Sequence, residues 1–104
     1  MYFGTVARLH LKPGMIDRFL AYGQEQQQRA DDFSGGVATL VFQSDTDPLE
    51  FYLIAVAESE EHYRAMAASP EQHQQYLRMR EMLQEDPEWN DGHVLYADFR
   101  ATSG

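Results

Sequence analysis

Apolar and polar residues alternate from Tyr2 to Leu11, with Phe3, Thr5, Ala7, Leu9 and Leu11 on one side and Tyr2, Gly4, Val6, Arg8 and His10 on the other. A two-residue period with one oilier side predicts a half-buried strand. Lys12-Pro13-Gly14 ends it, because proline has no amide to donate and glycine frees the turn, while proline is also tolerated where a helix begins. Met15, Ile16, Phe19, Leu20 and Gly23 then recur at helical spacing, with Asp17, Arg18, Gln24, Glu25, Gln27 and Gln28 on the wet side. The spacing predicts an amphipathic helix ending near Ala30 with a glutamine-rich, solvated last turn.

A polar loop, Asp31 to Gly36, leads to a β-branched run from Val37 to Gln43, which stops at the Ser44-Asp45-Thr46-Asp47-Pro48 turn. From Phe51 to Ala57 nearly every residue is apolar on both sides, so this third strand is expected to be covered twice. Ser59 followed by Glu60 and Glu61 is a helix cap with acidic first-turn residues, and the short helix turns Tyr63, Met66 and Ala67 inward. Ser69-Pro70-Glu71 starts another helix, with Tyr76, Met79, Leu83, Leu77 and Arg80 as its stripe and Asp86-Pro87 as its end. Trp89 to Gly92 reads as a turn, His93 to Phe99 as a fourth strand, and Ala101 to Gly104 as a frayed tail.

Strand, helix, strand, strand, helix pair, strand is the split βαβ plan: one α+β domain over residues 1–100, a ferredoxin-like βαββαβ sandwich with helices on one face of a four-stranded antiparallel sheet. The other face stays bare, and Tyr52, Ile54 and Val56 make it apolar, which a monomer avoids and a face-to-face homodimer relieves.

Composition narrows the function. The 104 residues contain no cysteine, which removes disulfides, thiolate metal sites and a thiol nucleophile. Seventeen acidic against eight basic residues give a net charge of -9, and the scattered cations make no stripe for nucleic acid. No apolar run approaches the ~20 residues that cross a bilayer, and no basic-then-apolar leader opens the sequence, so no membrane and a cytoplasmic protein are expected. A glycine-rich phosphate loop, a paired-histidine metal motif and a nucleophile elbow are all missing.

The Lys12-Pro13-Gly14 turn, Gly35-Gly36, Asp47-Pro48 and the passage from Ala57-Glu58-Ser59-Glu60-Glu61 to Ala68-Ser69-Pro70-Glu71 resemble, in order and spacing, the antibiotic biosynthesis monooxygenase superfamily of dimeric α/β-barrel proteins. The resemblance spans Tyr2 to Phe99. It implies oxygen chemistry on electron-rich phenols or quinols, without cofactor or metal, in a cavity between sheet and helices. Haem-degrading members carry an asparagine, a tryptophan and a histidine where this chain has Ala7, Met66 and Tyr76, so haem degradation is not the leading expectation.

Candidate chemistry rests on few residues. His73 and Tyr76, at i and i+3 on one helix, offer a general base beside a phenol, or are a surface histidine and a core tyrosine. Arg8, which shares a strand face with His10, either holds a developing oxyanion or sits in the dimer contact against Asp98 or Glu58. Tyr52, Tyr63, Met66 and Trp89 wall an aromatic pocket, or are core, with Trp89 in a loop that caps a cavity or an interface. The expected reading is a cofactor-independent monooxygenase with a small aromatic ligand, catalytic residues His73, Tyr76 and Arg8, and binding residues Tyr52, Tyr63, Met66 and Trp89. The rivals are a non-catalytic ligand-binding or stress-response dimer and an isomerase of the same fold.

Overall fold

A computed structural model describes residues 1–29 and 36–98. The elements run β1 (Phe3–His10), α1 (Ile16–Arg29), β2 (Gly36–Gln43), β3 (Glu50–Ala57), α2 (Glu60–Ala67), α3 (Pro70–Arg80) and β4 (Glu88–His93). All strand pairs are antiparallel and the sheet order is β2-β3-β1-β4. This is the ferredoxin-like βαββαβ arrangement that the alternation in the sequence predicts. Among the described residues no helix is long and apolar enough to cross a membrane.

The alternation in β1 decides which side of the sheet is the core. Phe3, Thr5, Ala7, Leu9 and, just beyond the strand, Leu11 are buried, and the last three join Phe19, Phe51, Met79, Met82 and Leu83 in one cluster beneath the helices. Met15, Ile16, Tyr22, Leu53 and Tyr76 pack against it. The inner stripe of α1 is thus Ile16, Phe19 and Tyr22, with Met15 just before the helix, whereas Leu20, expected inside, is 49% exposed, and Gly23 is exposed as well. A stripe through positions 16, 19 and 22 points one residue-step away from Leu20, so a hydrophobic side chain next to the stripe stays in water.

Both short helices are capped as their sequences suggest. Ser59 Oγ accepts from the His62 amide at 3.2 Å, and Ser69 Oγ accepts from the Gln72 amide at 3.1 Å, with Pro70 in the first turn. Helix α3 stops at Arg80, short of the expected Asp86-Pro87 boundary. Its continuation is diverted by β1: Leu11 and Leu83 form an antiparallel bridge, Lys12 N donates to Met82 O at 2.9 Å, and Gln84 N donates to His10 O at 2.8 Å. Burying Leu11, Met82 and Leu83 obliges their backbone groups to find partners, and the end of β1 supplies them.

The fourth strand lies earlier in the chain than expected, beginning at Glu88 and ending at His93, the residue where it is expected to begin. It includes Trp89 to Gly92, read as a turn, and pairs with β1 in the register Arg8↔Glu88 to Phe3↔His93. Residues 94 to 98 form no regular element, although Val94 N still donates to Tyr2 O at 2.9 Å. Phe99 and the tail lie outside the described residues, as do positions 31–35 of the predicted loop. An edge strand with solvent along its outer side tolerates the asparagine, aspartate and glycine that suggest a turn, because pairing with β1 satisfies one side of the backbone alone.

At Gly4, on the open face of β1, an added Cβ would fall directly onto the carbonyl oxygen of Ala55 on β3. Glycine therefore sets how closely the two central strands approach. Replacing Gly4 with Ala is expected to lower unfolding free energy in urea by about 2–3 kcal/mol, the range for a forced backbone shift; an unchanged denaturation midpoint would show that the strands separate freely.

Candidate functional site

Antiparallel pairing puts directly opposed residues on the same side of the sheet, and this divides the predicted site residues into two groups. Trp89 opposes the buried Ala7, and Asp91 opposes Thr5, so both project to the helix side of β4. Arg8 opposes Tyr52 on β3 and Glu88 on β4, on the face away from the helices.

On the helix side, α2 carries Tyr63 and Met66 three residues apart and both half-buried, while α3 carries His73 and Tyr76. The His73 and Tyr76 rings stack with centroids 6.5 Å apart and planes 20° apart, and Tyr76 meets Trp89 at 6.3 Å. These three rings form a row from α3 to the edge strand. Trp89 is 45% exposed. It stands on β4 and not in a loop, so the strand fixes its direction. Tyr63 donates its hydroxyl to Asp91 Oδ1 at 3.0 Å, tying α2 to β4. Burial, and then the bond to Asp91, push the Tyr63 phenol above its ordinary pKa, while the nearby Thr5 hydroxyl and Arg64 act the other way. Phe3 fills the floor beside this pair, with edge contacts to Tyr63 at 5.1 Å and to His93 at 4.9 Å.

On the open face, Arg8 Nε donates to Glu50 Oε1 at 2.6 Å and Tyr52 donates to the same carboxylate at 2.7 Å. Arg8 Nη1 also lies 3.9 Å from Glu88. Its acidic partners are thus Glu50 and Glu88 of its own chain, whereas Glu58 approaches His62 at 4.0 Å. The Arg8 and Tyr52 hydrogen bonds hold Glu50 below the usual carboxylate range, and Glu50 raises Tyr52 in return. Arg8 and Tyr52 therefore meet each other but not His73, Tyr76, Tyr63, Met66 or Trp89 of the same chain. The large apolar groups on this face include Val6, Leu40 and Phe42, all more than 40% exposed, with Ile54 and Val56 half-buried between them.

Two shallow recesses mark the surface. One, of about 70 Å³, lies among Arg8, His10, Glu85, Asp86 and Glu88; the other, of about 150 Å³, lies among Arg18, Ala21, Tyr22, Glu25, Arg78 and Met82. Each is small beside the roughly 300–1,000 Å³ of sites that enclose drug-sized ligands. The helix-side aromatic row borders neither. Among the described residues no group of three histidine or acidic side chains is placed to hold a metal ion.

The fold has counterparts in known proteins. The profile of the family described as antibiotic biosynthesis monooxygenase matches residues 2–77. The chain belongs to that family. Solved structures with the same fold include a conserved protein from Methanosarcina mazei Go1 (TM-score 0.80, 16% identity, covering 89% of this chain and 92% of that one). A second is a variant of SnoaB, a cofactor-independent oxygenase from Streptomyces nogalater (TM-score 0.79, 14% identity, 92% and 95% covered). A third is NE2512, a protein of unknown function from Nitrosomonas europaea (TM-score 0.77, 18% identity, 97% and 96% covered). No curated protein matches the chain. At these identities the neighbours establish the fold, and the residues of this monooxygenase-family chain must speak for its site.

Sequence reasoning missed Asp91, Thr5 and Glu50 as partners of the residues it singled out. Asp91 was hidden by a turn-like Asn-Asp-Gly; reading Trp89, Asp91 and His93 as alternate residues of a strand is the signal that finds it.

His10 gives a pH prediction. Its Nε2 lies 3.1 Å from Asp47 in the β2–β3 turn and its Nδ1 3.3 Å from Glu85 after α3. The Asp47 hydrogen bond, chiefly, raises its pKa above 6.5, against some desolvation. Because the folded value is the higher one, the stabilisation is complete below the unfolded value and is lost as pH rises through the folded one. Thermal midpoints are expected to fall as pH rises above 6.5, and His10→Gln is expected to flatten that slope; an equal slope in the variant would assign it to other groups.

Proposed function

We propose that this family member is a cofactor-independent monooxygenase of a small phenolic or quinol-type molecule. The row His73, Tyr76 and Trp89 carries the reading: three neighbouring rings run from α3 to the edge strand, with the half-buried Tyr63 and Met66 on α2. A flat, electron-rich ligand stacks on Trp89 and Tyr76. His73 takes the proton from the reacting carbon, and the carbanion reduces dioxygen directly. At a CH₂ carbon the balance closes within the substrate, since one oxygen atom becomes the new carbonyl and the other leaves as water with the two hydrogens. Tyr76 serves as hydrogen-bond donor to the oxygen where charge collects.

A second copy completes the assembly in this reading. It covers Val6, Leu40, Phe42 and the neighbouring Ile54 and Val56, an apolar surface that a monomer would expose to water. Arg8 and Tyr52, locked on Glu50, then belong to the paired faces, where an ion pair sets register more than it adds affinity. A cytoplasmic location and one domain over residues 1–100 are part of the same proposal.

Oxygen uptake with anthrone, a tricyclic substrate with such a CH₂, tests the chemistry. His73→Ala and Tyr76→Phe are each expected to cut turnover by about a hundredfold; full turnover in both would remove the acid-base assignment. Binding without oxygen uptake would favour the rival, a ligand-binding dimer, and oxygen-independent turnover an isomerase. Native mass spectrometry is expected to find a dimer that Phe42→Asp converts to monomer; a wild-type monomer at micromolar concentration would end the two-sheet proposal.

A further inference from the structure

The two edges of the sheet are defended differently. β4, at one edge, carries Glu88, Asn90 and Asp91, and charged side chains along an outer strand keep other chains from pairing with it. β2, at the other edge, reads Gly-Val-Ala-Thr-Leu-Val-Phe-Gln, eight residues with neither a charge nor a proline. Its outer row of backbone groups faces no strand among the described residues. An uncharged, largely apolar edge of that length is a template for one more strand.

The second copy proposed above covers only one side of this edge. Leu40 and Phe42 point to the open face, but Val41 pairs with Leu53 on the helix side and is still 42% exposed. A sheet laid on the open face leaves Val41 in water, whereas a strand added beside β2 lies against both sides at once.

The same chain holds a strand-like segment without a sheet. Val94, Leu95, Tyr96 and Ala97 follow β4 directly and form no regular element, with Leu95 89% and Tyr96 81% exposed. Adjacent residues of an extended segment point to opposite sides, so exposure of both means that its own domain covers neither. Its own β2 is out of reach, because β3 and β1 stand between β2 and β4. Three strand spacings amount to about 14 Å, which is all that four extended residues span. A sheet packed face to face lies only about 10 Å away.

We propose that the segment Val94 to Ala97 of each copy pairs with β2 of the other, so that the dimer is closed by reciprocal strand addition. The proposal rests on the face-to-face dimer and adds which parts of each copy hold it. Two additions related by a twofold axis occupy both β2 edges and leave neither open, whereas one-way addition would propagate into a filament. Leu95 or Tyr96 then covers Val41, and the other turns toward the paired faces.

Residue-resolved amide exchange and dimer dissociation test the addition. In the wild-type protein, alternate amides of residues 94–97 are expected to exchange at least about a hundredfold more slowly than in an unstructured peptide. Leu95→Pro and Tyr96→Pro remove neighbouring amides, one of which points at β2. At least one of them is expected to raise the dimer dissociation constant about tenfold with the circular dichroism spectrum unchanged. A wild-type dimer whose 94–97 amides exchange freely would overturn the strand addition and leave the face-to-face dimer standing. So would a dissociation constant unmoved by either proline, or assemblies that grow past a dimer with concentration. A wild-type monomer at micromolar concentration would overturn the strand addition together with the dimer.

Discussion

Everything in this molecule hangs on β1 being paired along both edges. Its backbone bonds to β3 on one side and β4 on the other. Ala7, Leu9 and Leu11 consequently lie at zero exposure, and their small and medium side chains let α1 and α3 close over the sheet. Gly4 keeps β1 and β3 at contact distance, and the end of β1 captures the chain after α3 through the Leu11–Leu83 bridge. A central strand that satisfies both rows of backbone groups is hard to displace, whereas its edge partner β4 keeps one row open to water.

That pairing also sorts the chemistry. With one side of the sheet committed to the core, each strand residue belongs to the helix side or to the open side, and a one-residue slip would exchange the two sets. Arg8, Tyr52 and Glu50 are thereby gathered into a polar cluster on the open face beside an apolar field. Trp89 and Asp91 go to the helix side, where α2 brings Tyr63 and α3 brings Tyr76 and His73. The aromatic row and the apolar field thus occupy opposite faces of the four-stranded sheet and share no residue.

The acidic surplus is organised locally despite its size. His10 is bracketed by Asp47 and Glu85, Arg78 takes Glu25 through both terminal nitrogens' reach at 2.7 and 3.0 Å, and Arg80 takes Asp86 at 2.8 Å. The His10 and Arg78 contacts join segments distant in sequence, the β2–β3 turn and the chain around α3 among them, while Arg80–Asp86 ties down the chain just after α3. Exposed pairs contribute little individually, and their geometric role is to hold the ends of the sheet and helices in place.

Strand β1, the caps Ser59 and Ser69, and the doubly apolar β3 could be read from the sequence because each depends on local period or local hydrogen bonding. So could the family resemblance, which rests on turns and caps. Local rules failed at β4 and at the end of α3, where pairing with β1 outweighed turn-forming residues and helical spacing. Nor does local pattern show that Arg8 lies on the sheet face away from the helices that carry His73 and Tyr76, or that Asp91 meets Tyr63. Residue types and periodicity determine which side chains a strand turns together; which element then stands opposite them, and hence which hydroxyl meets which carboxylate, is decided by long-range pairing that carries no local signature.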